Sequence, residues 1–259
     1  MASLGGPTST PVPVTAARRR VKIHKGPAIA WGMPLSGPDV AGSWDRIRRW
    51  LATGAPGVLA RIRPPAEEAD LDRVAEALGV PLPEDLLAWW RLADGVADAY
   101  PHPGHLLPPW FDPYPVSRAL DSRSSWIRVW HKPAPEHDHA RMTRELGAWL
   151  GTPEPTVEER VAEFMAQPAG TPCDAMYLPV WLPIAGDNGG ADLFVDLREG
   201  PLRGCVMRFD KVGTAVLEPD WPSLAAMLAD VADGLERGRT TGAREPATRT
   251  VADGVLRWE

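Results

Sequence analysis

Three groups of residues in this 259-residue chain carry side chains able to do chemistry. The first is Asp187-Asn-Gly-Gly-Ala-Asp192 with Asp196 beyond it, three carboxylates and an amide within ten residues. Hard cations such as calcium take oxygen ligands of this kind. The EF-hand rhythm of alternate ligands with a closing Glu at the twelfth position is absent. The turn also lacks the Lys and the following helix of a phosphate-binding loop. Asn-Gly between two apolar stretches is instead the strong short-range signal for a β-hairpin. On a strand, Asp192 and Asp196 share one face, opposite Leu193, Val195 and Leu197. The segment therefore reads as a two-stranded element with a solvent-facing acidic stripe, and no metal is assigned to it.

The second group is His131, His137, Asp138 and His139, with His102 and His105 near them in sequence. Metal ligation requires ligands that converge in space, which an unpatterned loop does not guarantee, so no metal is assigned here either. The third group is the nucleophiles. Neither Gly-x-Ser-x-Gly nor a Cys/His signature is present. Cys205, within Cys-Val-Met-Arg-Phe, reads as a small core residue and Cys173 as a loop thiol. Glu158 and Glu159 are adjacent on an expected helix, so they diverge and cannot work as an acid–base pair. No catalytic and no cofactor-binding residue is assigned, no cofactor is expected, and the chain reads as a non-enzyme.

Twelve tryptophans are an excess. Trp89 and Trp90 stand about 100° apart on an expected helix, so both are buried only if that helix is covered broadly. A ring left exposed would make a binding hot spot. The candidate partner contacts are therefore Trp89, Trp90, Asp187, Asp192 and Asp196.

The elements that must position these groups follow from periodicity and caps. Ser43 is expected to cap a helix through Ala52, with Trp44, Ile47 and Leu51 on one face. A second helix spans Ala66–Leu78 and stops at Gly79, and a third spans Glu84–Ala93, entered through Pro83 and closed by Gly95. Six prolines between Tyr100 and Pro115 predict an irregular connection with at most one short strand. Val116–Trp130 reads as a helix, Arg144–Leu150 as a helical turn or two, and Thr156-Val-Glu-Glu159 as a capping box opening a helix to about Ala166. Strands are expected at Tyr177–Ala185, Ala191–Leu197, Gly204–Asp210 and Gly213–Leu217, and a last helix at Pro222–Leu235. This order predicts an α+β fold, a largely antiparallel or mixed sheet flanked by N-terminal helices and a C-terminal helix. Residues 1–42 are expected to be a disordered basic arm, 43–237 a single domain with an insertion at about 131–172, and 238–259 a tail.

No run approaches the 18 or so apolar residues of a membrane span, and Arg18-Arg-Arg20 is not followed by the apolar stretch of a secretory signal. Two cysteines make no disulfide framework, so a cytoplasmic setting is expected. The net charge of −6 hides an asymmetry. Residues 1–63 hold 10 Lys/Arg against 2 Asp/Glu, leaving 18 against 32 in residues 64–259. The latter balance of −14 disfavours nucleic acid and favours a basic protein partner. Arginine outnumbers lysine 24 to 4, a bias of GC-rich bacterial genomes.

Several of these segments together resemble a family. A helix running into Gly79-Val-Pro-Leu-Pro-Glu-Asp-Leu-Leu and ending at Ala93-Asp-Gly95 is similar to the N-terminal signature of the SUKH superfamily, in its Smi/Knr (cell-wall-assembly-regulator-like) group. Trp181-Leu-Pro-Ile with a strand ending in Val-Asp196-Leu resembles that group's second block. Gly204-Cys-Val resembles its next strand, and Trp221-Pro-Ser-Leu-Ala-Ala-Met-Leu its closing helix, with Ser-Leu where Ser-Phe is usual. The resemblance covers roughly 66–236. It implies an α+β protein-binding module without catalytic residues. Bacterial relatives are typically immunity proteins that neutralise toxin domains, often nucleases, and fungal relatives are regulatory binding hubs. The expected function is an immunity protein binding a basic toxin domain. A regulatory adaptor without a toxin partner is the alternative, and a metal-dependent enzyme the remote one.

Overall fold

The computed structural model describes residues 39–131, 145, 149–151, 155–174 and 176–259. The chain divides into Met1–Gly32 and Met33–Glu259, and everything described belongs to the second unit. The expected basic arm lies almost wholly outside the described residues. So do His137, Asp138, His139 and most of the Arg144–Leu150 segment.

Strand alternation builds the centre. β1 (Asp112–Pro113), β2 (Trp181–Gly186), β3 (Ala191–Asp196) and β4 (Val206–Asp210) form an antiparallel sheet in that order. The fold is α+β, as the order of elements predicts. The hairpin register pairs Gly186 with Asp192 and Trp181 with Asp196. Its turn is fixed by Asp187, whose Oδ1 accepts the backbone N–H groups of Gly189, Gly190 and Ala191. Asn188 adopts φ 57°, which asparagine tolerates better than most residues.

Both faces of this sheet are covered, and this overturns the expected acidic stripe. Leu182, Ile184, Leu193, Val195 and Val206 face one apolar core. Trp181, Phe194, Met207 and Phe209 face a second, with Tyr177, Cys173 and Cys205. Asp192 and Asp196 alternate in phase with Phe194, so they point into the second layer rather than into water.

Seven helices among the described residues pack around the sheet. α1 (Val40–Gly54) begins ahead of the expected start, because Asp39 caps it by accepting from Ala41 and Gly42, while Ser43 is buried inside it. α2 (Pro56–Leu59) is short. α3 (Glu68–Leu78) ends at Gly79 in the left-handed region, φ 66°. α4 (Glu84–Trp90), α5 (Val116–Trp130), α6 (Val157–Met165) and α7 (Leu224–Arg237) follow. The capping box of α6 is formed by Thr156 and Glu159 in both directions. α1 runs along α7, with Arg46 paired to Asp233 at 2.6 Å. Asp85 ties α4 to α7 by accepting from the Ala225 N–H at 3.0 Å. α5 spans both cores, giving Val116 and Ala119 to the first and Trp126, Ile127 and Trp130 to the second.

Two further expectations are corrected. Gly213–Leu217 forms no strand; Thr214 and Ala215 make only isolated bridges to Asp210 and Cys173. Residues 238–259 are no free tail. β5 (Arg249–Ala252) and β6 (Val255–Trp258) form a hairpin whose turn residues Asp253 and Gly254 have φ of 53° and 75°, the signs of a type I′ turn. Leu256 and Trp258 are buried in the first core, and Trp258 Nε1 donates to the His105 carbonyl at 3.2 Å. A Cβ at Gly104 would meet the Leu256 oxygen at 1.9 Å, so this close approach needs glycine.

Candidate functional site

The Ala93-Asp-Gly95 segment is where the site begins. Asp94 Oδ1 accepts the Val116 N–H at 2.7 Å and so starts α5. Gly95 lies at φ 68°, and a Cβ there would stand 2.4 Å from the backbone at Tyr114 and Pro115. Its small size lets the chain pass close under Tyr114, whose N–H donates to Ile184 on β2 at 2.8 Å. The phenol then reaches across β2 to β3. A Cβ at Gly186 would stand 1.7 Å from the Tyr114 oxygen, so glycine opens that path too.

At the end of the path Tyr114 Oη donates to Asp192 Oδ1 at 2.7 Å. Ser122 Oγ and Trp126 Nε1 donate to Oδ2, the latter at 2.7 Å. Arg118, Ser122 and Trp126 follow one another at intervals of four on α5, so the three share a face of the helix. Between this face and the β2–β3 turn lies a pocket of about 430 Å³ with Asp192 at its floor and Asp187 and Asn188 on its rim. Arg118 lies over the Tyr114 ring, 4.6 Å from its centroid, and donates to Asn188.

The floor is electrostatically unusual. Asp192 is 3% exposed and its donors are all neutral. Burial raises its carboxyl pKa above the ordinary range, against the pull of the three hydrogen bonds. Burial and the neighbouring Asp192 charge push the Tyr114 phenol upward, so it stays a proton donor. Ser122 donates to a carboxylate, with no histidine recorded beside it among the described residues, so its hydroxyl anchors rather than attacks.

The other residues singled out from the sequence lie elsewhere. Trp89 and Trp90 are 2% and 1% exposed, inside the first core, because α1 and α7 cover α4 broadly; Trp44 meets Trp89 edge-on at 6.0 Å. Neither ring is a surface contact of the folded chain. Asp196 is fully buried and paired with Arg198 at 2.7 Å, and Arg198 also donates to the carbonyls of Phe164 and Thr171. That ion pair pins the end of α6 and the following loop to the end of β3. Asp187 is half-buried at the pocket rim, and Asp192 is the pocket floor. Tyr114, Arg118, Asp121, Ser122 and Trp126 escaped sequence reasoning. The 118–122–126 spacing on an expected helix was the available signal.

A second polar cluster joins His102, His105 and Asp112, whose ligand atoms lie within 4.8 Å of one another. Asp112 Oδ2 accepts from Arg61 at 2.7 Å and contacts His102 Nε2 at 2.9 Å. Although burial opposes it, the adjoining His105 and Arg61 hold the Asp112 carboxyl well below the usual range. These three residues are the metal-capable set among the described residues. The buried Arg61 guanidinium already neutralises the Asp112 carboxylate and occupies its Oδ2, so the cluster suits an ion pair with histidines better than a metal. His131 is not part of it; its Nε2 meets the Tyr177 carbonyl at 2.8 Å.

The sequence model of the SMI1 / KNR4 family (SUKH-1) matches residues 65–230, more than half of the chain. The protein therefore belongs to that family, as its motifs suggest. The match runs from before α3 into α7 and contains the whole pocket. The family includes immunity proteins, is generally non-enzymatic and acts through protein–protein contacts. No curated protein matches the chain. No helix among the described residues is long and apolar enough to cross a membrane.

Proposed function

We propose that this protein is an immunity protein, a non-enzymatic binding module that neutralises a basic toxin domain in the cytoplasm. Membership of a family that includes immunity proteins carries this reading. Charge supports it: the balance of −14 over residues 64–259 suits a partner that itself binds nucleic acid, such as a nuclease domain. The pocket favours binding over catalysis: among the described residues its lining holds no histidine, cysteine or lysine to activate Ser122, and its floor carboxylate is held by three neutral donors.

The test is co-expression of the full chain with a toxin domain encoded beside its gene, whose absence there would itself count against the reading. Growth rescue together with a one-to-one complex on size exclusion is the expected outcome. Toxicity unchanged by the chain, with no complex formed, would overturn the reading. The basic segment Arg18–Lys25 favours a second reading, a regulatory adaptor with an additional docking element. It predicts a growth or envelope phenotype on deletion in a strain without any toxin.

A further inference from the structure

We propose that the pocket over Asp192 seats an arginine side chain of the protein partner. This rests on the protein-binding reading above and gives it a location. The charged side chains lining the pocket are three carboxylates, Asp121, Asp187 and Asp192, against one cation, Arg118, while Lys211 beside the rim at Gly190 donates to the Gly189 carbonyl at 2.8 Å. Arg118 is engaged at the rim, over Tyr114 and on Asn188, with Asp98 at 3.8 Å. Asp192 thus carries its charge into the interior with neutral donors only, and no ion pair is recorded for it among the described residues. A buried anion without a counter-charge is costly, and a cation entering the pocket would relieve that cost where the local dielectric is low.

Size and lining narrow the occupant. About 430 Å³ lies within the range of pockets that enclose a ligand group. Trp126, Tyr114 and Val129 supply apolar wall against which the methylene stem of a basic side chain packs. Acceptors stand at two depths, Asp192 at the buried floor and exposed Asp121 with half-buried Asp187 toward the mouth. A planar guanidinium with five donors can address acceptors in several directions, whereas an ammonium concentrates its charge at one point. An anionic ligand would face the three carboxylates.

The experiment uses the full chain and Nα-acetyl-arginine N-methylamide as probe. Because the Trp126 indole N–H donates to Asp192, its proton–nitrogen NMR signal, assigned with Trp126→Phe, reports the floor directly. The expected result is a saturable movement of that signal with the arginine probe and none with the citrulline analogue, which keeps the shape without the charge. D121N/D187N is expected to weaken the interaction by about three- to tenfold, as for partly exposed charge pairs. Asp187→Asn keeps a side-chain oxygen to cap the hairpin turn, so folding is preserved. No saturation up to about 50 mM, well past the millimolar range of weak sites, or equal movement with citrulline, overturns the proposal. If D121N/D187N rescues growth and binds the toxin as tightly as the parent chain, this proposal falls while the immunity reading stands. If the parent chain fails to rescue growth while the probe saturates, the immunity reading falls and the arginine site remains.

Discussion

Asp112 and Asp192 are both buried aspartates, yet they link folding to pH with opposite signs. The folded chain holds Asp112 charged more readily than an unfolded chain does. Its contribution is therefore present above about pH 3.9 and is lost as pH falls from there through its lowered folded value. Asp192 is the reverse: the folded state keeps its proton longer, so stability declines as pH rises from about 3.9 to its raised value and is level above it. Asp112→Asn is expected to cost about 3–5 kcal/mol at neutral pH, because Arg61 is left buried without its counter-charge. It should also shrink the loss of stability on acidification, as read by urea unfolding between pH 3 and 7. An acid loss as steep as the parent chain's would show that Asp112 is not the linked group. None of this was visible in the sequence. The donors that hold Asp192 come from Tyr114, Ser122 and Trp126, far from it along the chain, and three-dimensional burial alone turns an alternating Asp from a surface residue into a pocket floor.

Elements with their own stop and start chemistry were legible. Gly79 ends α3, Pro83 opens α4, Thr156 with Glu159 opens α6, and Asn-Gly turns β2 into β3, each where its local physics requires. Val116–Trp130 was read to the residue. The C-terminal hairpin was missed although Asp253-Gly254 carried the type I′ signal, because its short strands lie in a polar, glycine-containing stretch. The fourth expected strand failed because Thr214, at φ 58°, turns the chain back toward Asp210. The hairpin's weight is testable. Trp258→Ala is expected to cost about 3–5 kcal/mol, the range for emptying a large aromatic site in a core. A change under about 1 kcal/mol in chemical denaturation, the scale of ordinary surface substitutions, would show β6 to be a surface attachment.

The molecule as a whole presents an acidic field, and this belongs to kinetics more than to final affinity. Association with the proposed basic partner is expected to slow by about tenfold or more as salt rises from 0.01 to 0.15 M, over which the screening length falls from about 30 to 8 Å. Dissociation should change far less, and stopped-flow mixing separates the two. An association rate insensitive to salt would remove electrostatic steering from the account. The hairpin β5–β6 has another consequence, for the order of events during synthesis. Leu256 pairs with Gly104 across most of the domain's length, and Trp258 fills the core shared by α1, α4 and α7. A nascent chain can form its helices and central sheet while still on the ribosome, but its core stays unsealed until the segment through Trp258 has emerged. On the proposed immunity reading, protection against a toxin already present in the cell would thus lag translation, not merely transcription.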